Sequence, residues 1–556
     1  MQNTAFHILI YQPISYPFSI PFTGAYPSYL LQNMTHSCIL TICHYDVLNK
    51  VDRIIIMLFN SLQFLIFFPI VVLIYYIIPS KYRHIWLLAA SYYFYMCWNV
   101  KYIILLLLST IITYLCGLYL EHLKQLSPPS DNMHLQAKKN LCIAIGFTLN
   151  LCILFLFKYF NFITDNLQQL FSFFHIKLNC PDFDLLLPVG ISFYTFQALS
   201  YTMDVYRDDI HAEKNFIRYA LFVSFFPQLV AGPIERSTNL LKQLRSPNTL
   251  TWDSFREGIL LMLWGYFLKV VLADRIAIFV DTVYGGYTNY PGMYLTIATL
   301  LFSVQIYCDF GGYSTIAMGT ARILGIELMD NFNAPYLSSS VSEFWRRWHI
   351  SLSSWFRDYL YIPLGGNRKG SVRKNLNLMI VFLVSGLWHG AQWTYVIWGG
   401  LNGIYQIIGN LFHSFINKWR PFTHSKPDTF SNKLFHILFT FVLIDFSWIF
   451  FRAENLSGAI SIIKSIFTEY NPWILFDGSL YQCGLNQKNF TLMLLGIFLL
   501  LLADTGKYFN LKLSSLILRQ EYWMRWLIVA VSVCVILLFG IWGTGYNEAN
   551  FIYFQF

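Results

Sequence analysis

The chain has 556 residues, of which 56% are hydrophobic, 19% aromatic and only 12% charged; soluble domains carry about 25% charged residues, so the lipid bilayer, and not water, is its main solvent. The formal net charge is +9, but the basic residues collect in short stretches between apolar runs, as the positive-inside rule produces, and no nucleic-acid partner is expected. The cysteines stand singly, several inside apolar runs (Cys97, Cys116, Cys142, Cys152, Cys534), without the spacing of a metal site or a disulfide framework.

Residues 1–56 are richer in Pro, His, Ser and Thr than the rest and lack the n-region, apolar core and cleavage site of a signal peptide. A coherent start appears at Met57, in MLFNSLQFLIFFPIVVLIYYIIP. Residues 1–56 are therefore read as an N-terminal extension, poorly ordered or not native and without chemistry, and 57–556 as one membrane domain.

Crossing a hydrocarbon core of about 30 Å takes roughly 20 helical residues. Apolar runs of this kind recur at 62–78, 84–100, 102–120, 141–159, 185–201, 217–230, 258–280, 293–310, 376–398, 401–416, 434–451, 491–502 and 525–542. Several are too short or too broken to cross alone, and 258–280 is interrupted by Lys269, Asp274 and Arg275. The expectation is an all-α polytopic membrane protein with roughly eleven transmembrane helices, whose boundaries are good to about two to four residues.

Residues 331–375 are too polar to span, yet they hold Phe344, Trp345, Trp348, Trp355, Phe356, Tyr359 and Tyr361. That mixture predicts helices lying in the interface or re-entering the membrane. Arg346, Arg347, Arg357, Arg368, Lys369, Arg373 and Lys374 against only Glu343 and Asp358 predict a cytoplasmic face. The same cations suit the phosphates of a donor such as coenzyme A or an acidic carrier, while topology alone accounts for them equally well.

The most pointed motif is SGLWHGAQW at 385–393, where His389 sits between small residues and the indoles of Trp388 and Trp393. Ionisable groups at membrane depth normally line a cavity or a reaction site, and a neutral imidazole can take a proton from an attacking hydroxyl; the plainer alternative is a packed histidine bonded to a neighbouring carbonyl. His349, in FWRRWHISLS, reads either as a partner of that base or as an interfacial structural residue. In QIYCDFGGYS, the paired glycines Gly311 and Gly312 read either as a place where another helix or a substrate approaches the backbone closely, with Asp309 orienting a histidine or binding a cation, or as a helix-breaking turn with Asp309 capping the next helix. In FPQLVAGPIER, Pro and Gly predict a broken helix lining a cavity, with Glu235 and Arg236 paired at the interface. No Walker loop, HExxH, GxSxG or cluster of metal ligands is present in the sequence.

At these residues the chain resembles the membrane-bound O-acyltransferase family, in the branch of bacterial alginate O-acetylases and related peptidoglycan and teichoic-acid acylation proteins. The resemblance covers 57–556 and rests on LVAGPIERS, IYCDFGGYS, EFWRRWHISLSSWFRDYLYIPLGGNRKG, GLWHGAQWTYVIWG, FSWIFFRAEN and the closing FIYFQF in this order. It implies tilted membrane helices around a thin central core, and places the family's near-invariant histidine on His389 and its second on His349.

On this reading an acyl group, acetyl foremost, passes from a cytoplasmic thioester to hydroxyls of an extracytoplasmic polysaccharide, directly or through a relay acyltransferase, in a bacterial inner membrane. Acetyl-coenzyme A or another acyl donor or carrier is substrate, and no tightly bound cofactor is expected. His389 acts as general base, His349 positions the thioester, Arg346 and Arg347 dock the donor, and Asp309, Trp388 and Trp393 support the site. Thr315, where relatives often carry an acid, and Cys308, where an aromatic is commoner, put the substrate in doubt before the activity. The rival expectations are acylation of a lipid or protein by the same histidine, and a glycan or ion transporter with His389 and Asp309 lining its path.

Overall fold

A computed structural model describes residues 57–126, 133–177, 188–230, 232–246, 248–423, 429–542 and 551–552, the side chains of 413–423 excepted. The expected extension 1–56 lies outside the described residues. Every regular element among the described residues is helical, so this is an all-α protein. Among the described residues, six helices are long and apolar enough to cross a membrane: Val100–Gln125, Met133–Phe173, Met293–Ile323, Phe430–Arg452, Gln487–Tyr508 and Tyr522–Phe539.

Other apolar runs resolve into shorter or interrupted helices. Residues 84–100 form only Arg83–Met96, and 185–201 begins its helix at Ile191, after Gly190 with φ +75°. Run 258–280 becomes Trp252–Tyr266 and Asp274–Gly285, joined by a wide π turn at Phe267–Ala273. The Pro and Gly punctuation at 225–233 does break a helix: Phe216–Ser224 ends and a single turn, Phe226–Leu229, follows. The backbone groups this frees are met from inside the protein, the Phe222 carbonyl by Gln197 and Gln228 and the Phe226 N–H by Ser91, as broken helices at membrane depth require.

The helix Met293–Ile323 is the centre of the packing, with 67% of its spanning window buried against 6% for Tyr522–Phe539. Of the two readings of Gly311 and Gly312, the helix break fails, since both lie in the middle of this continuous helix. The close approach of another helix holds, at Gly312. A Cβ at Gly312 would stand 2.8 Å from the Gly265 carbonyl oxygen, and one at Gly319 would stand 2.6 Å from that of Gly258. Gly258 and Gly265 on one helix thus face Gly319 and Gly312 on the other, a small-residue seam that lets two backbones touch. Because the obstructing atoms are backbone, Gly312→Ala is expected to destabilise the fold by ~1–3 kcal/mol, read as a lower melting temperature in detergent.

One turn from that seam, Lys269 in the π turn holds two carboxylates, Asp274 at 2.8 Å and Asp309 at 2.7 Å, all three buried. The second Asp309 oxygen accepts the Ile552 N–H at 2.7 Å. Phe551 packs on Tyr313 at 4.7 Å between ring centroids, and Tyr313 stacks on Phe59 at 4.5 Å. Described residues from both ends of the domain therefore meet on the Asp309 helix.

Candidate active site

His389 is the last residue of the helix Gly370–His389, which stops because Gly390 turns extended at φ −159°. The next helix, Trp393–Thr423, folds back against it so closely that a Cβ at Gly386 would lie 2.3 Å from the Tyr395 carbonyl oxygen, and one at Gly399 2.3 Å from that of Phe382. This hairpin holds the histidine inside the protein, 4% exposed. Aromatic rings wall it: Trp388 at 5.0 Å, Trp398 at 5.1 Å and Phe451 at 5.4 Å between centroids.

His349 comes from the break between two short helices, Val341–Arg347 and Ile350–Phe356. Its backbone is left-handed, at φ +44° and ψ +54°, which costs a non-glycine residue on the order of 1–3 kcal/mol and survives only where neighbours over-determine it. Here they do. Asn331 accepts the Ile350 N–H on its carbonyl at 3.0 Å and the Ser351 hydroxyl on its side-chain oxygen at 2.6 Å, and donates to Ser314 at 3.0 Å. Asn333 donates its N–H to the Arg347 carbonyl at 2.9 Å. The ring of His349 so held lies 4.6 Å from Phe310 and 6.4 Å from His389, centroid to centroid. Two histidines forty residues apart in sequence thus lie in one buried aromatic cluster.

Of the aromatics named in 331–375, Phe344, Trp345, Trp348, Trp355 and Phe356 are buried, and Tyr359 and Tyr361 are partly buried. Trp388 lies at 6.2 Å from His349 and joins the cluster to Phe193 and Phe196. Trp393 is half-exposed and donates its indole N–H to Asn166 at 2.8 Å. Asp309 is engaged by Lys269 and Ile552, and its neighbour Phe310 meets His349 in a T-shaped contact.

Arg346 is exposed, whereas Arg347 pairs with Glu343 at 2.9 Å and lies over the Tyr508 ring. Burial raises the Glu343 carboxyl, but hydrogen bonds from Ser339 and the Arg347 guanidinium outweigh it and hold the group below its ordinary value. Glu235 and Arg236 each take another partner: Arg236 pairs with Asp358 at 3.3 Å, while Glu235 accepts from the Met329 N–H and Asn239. Burial pushes Glu235 up to about 7 against those hydrogen bonds.

Three contributors escaped the sequence reading. Lys158 and Tyr159 reach the end of the His389 helix from a neighbouring span; a lysine inside an apolar run was the available signal. Asn331 had no local signal, because its role depends on contacts across a loop.

The description of the membrane-bound O-acyltransferase family matches residues 93–450, a stretch that contains both histidines, Asp309, Lys269, Lys158 and Asn331. A probable alginate O-acetylase of Azotobacter vinelandii is 37% identical over 422 residues, 76% of this chain and 80% of that protein. A peptidoglycan O-acetyltransferase of Helicobacter pylori is 34% identical over 446 residues, covering 74% and 80%. A teichoic acid D-alanyltransferase of Bacillus subtilis is 27% identical over 290 residues, covering 50% and 72%. A transporter is set aside by this kinship, and the chain belongs to the membrane-bound O-acyltransferase family, as a multi-pass membrane enzyme that transfers acyl groups to oxygen.

Proposed function

We propose that the enzyme carries an acetyl group from acetyl-coenzyme A, presented on the side that the basic loops mark as cytoplasmic, to hydroxyls of an extracytoplasmic polysaccharide across a bacterial inner membrane. The observation that carries this is the pair of buried histidines with ring centroids 6.4 Å apart, in a chain related to proteins named for O-acetylation of alginate and peptidoglycan.

A hydroxyl oxygen attacks the thioester carbonyl carbon while His389 takes its proton. The carbon–sulfur bond then breaks, and the imidazolium returns the proton to the leaving thiolate. Thioesters are already activated, so one base and correct placement suffice, without an acyl-enzyme. His349, rigid by virtue of its clamped backbone, positions the donor carbonyl. Arg346, exposed at the start of the basic stretch, contacts the donor phosphates more readily than Arg347, which Glu343 and Tyr508 occupy. The acceptor is the glycan itself or a partner acyltransferase that relays the group.

The test uses sealed membrane vesicles of both orientations with radiolabelled acetyl-coenzyme A and, in turn, alginate oligomers and peptidoglycan fragments. Label is expected in glycan only when the donor meets the cytoplasmic face and the acceptor the other. Label extracted with lipid or protein alone would replace the glycan acceptor, and transfer with donor and acceptor on one side would remove the vectorial reading.

A further inference from the structure

The span Met133–Phe173 is 17% buried across its apolar window, yet it carries a lysine at membrane depth that the mechanism above leaves without a task. The helix widens into a π turn at Phe155–Tyr159, and π turns of this kind are frequent at functional sites. From that turn the Lys158 ammonium donates to the Trp388 carbonyl at 2.7 Å and the His389 carbonyl at 3.0 Å, while the Tyr159 hydroxyl donates to the Leu387 carbonyl at 3.0 Å. Further along the same helix, Phe162 packs on Trp393 at 5.8 Å, and Asn166 accepts its indole N–H. One peripheral helix therefore grips both ends of the WHGAQW segment.

The grip falls where the His389 helix is weakest. The last carbonyls of a helix have no partner within it, and Gly390 ends this helix immediately after the histidine. In water, solvent would meet those carbonyls; at membrane depth they need donors from the protein. Three consecutive carbonyls are met by two adjacent side chains, and one of those is a cation set against the negative end of the helix dipole.

We propose that Lys158 and Tyr159 are positioning residues of the acyl-transfer centre: they fix the final turn of the His389 helix, and with it the place of the imidazole. The assignment rests on His389 as the base. Steady-state transfer is compared in membranes for Lys158→Met, Lys158→Arg, Tyr159→Phe and His389→Ala, at amounts of folded protein equalised by size-exclusion chromatography. Because a misplacement of about 1 Å can cost ~10²-fold, Lys158→Met is expected to lower kcat by ~10²-fold with KM for both substrates within about twofold. Lys158→Arg, which keeps charge and donors, recovers at least about tenfold of that loss. Tyr159→Phe, which removes one hydrogen bond, lowers kcat by ~3- to 10-fold.

Unchanged kcat in Lys158→Met, or an equal loss in Lys158→Arg, overturns the assignment. Where Lys158→Met does not reach the folded state, Tyr159→Phe decides, since it deletes one oxygen atom and an unchanged kcat there overturns the clamp. An active His389→Ala would instead remove the base, a result distinct from failure of the clamp.

Discussion

Replacing His389 by alanine is expected to abolish acyl transfer for practical purposes, lowering the rate by ~10²–10⁴-fold, the range that a positioned general base contributes. The loss arises in chemistry and not in folding. The histidine sits at a helix end among Trp388, Trp398 and Phe451, and the hairpin around it is held by backbone contacts at Gly386 and Gly399. His389→Gln, closer in volume, should fold equally well and remain as inactive, since an amide cannot take the hydroxyl proton. The measurement is labelled acetyl transfer per mole of folded enzyme. A variant within tenfold of the parent would dismiss His389 as the base and leave its neighbour in the aromatic cluster, His349, as the candidate.

The second large effect concerns stability. Lys269→Met leaves Asp274 and Asp309 buried and facing each other without the ammonium that both bind. Breaking a buried ionic group on one side typically costs ~3–5 kcal/mol, because the partner charge stays desolvated. The variant should lose most of its folded yield, and its melting temperature in mild detergent should fall. Adding Asp274→Asn and Asp309→Asn removes both charges and should restore part of the loss, a non-additivity expected of groups in one network. If the single variant melts with the parent, the triad contributes little to the fold.

The all-α membrane architecture was legible because apolar runs of spanning length report directly on the solvent. Less legible was what happens where a run is interrupted. Lys269, Asp274 and Arg275 were visible as a break in 258–280, but the partner that explains the first two, Asp309, lies on another helix. Gly311 and Gly312 allowed two readings, a helix-breaking turn and a close approach of another helix; the second holds at Gly312, whose missing side chain admits Gly265 from a neighbouring helix, and tertiary packing alone decides between the two.

Within the site, His389 stood out because a titratable ring in an apolar segment has few reasons to be there. His349 was harder to interpret, since its left-handed backbone and the Asn331 clamp leave no periodic trace. Lys158 was hidden by the hydropathy of its own run, one cation averaged over many apolar neighbours. For Arg346 and Arg347 the sequence shows charge alone, and only the fold distinguishes the exposed residue from the one bound to Glu343.

The hydrogen bond from Ile552 to Asp309 joins residues 243 positions apart, and this has a bearing on biogenesis. Segments leave the ribosome and enter the membrane in order, so the Asp309 helix must wait in the bilayer while Phe430–Arg452, Gln487–Tyr508 and Tyr522–Phe539 are inserted. Until Ile552 arrives, one carboxylate oxygen at the heart of the domain lacks its N–H donor. A chain cut short by a nonsense codon or by proteolysis before this point would carry that defect in its core.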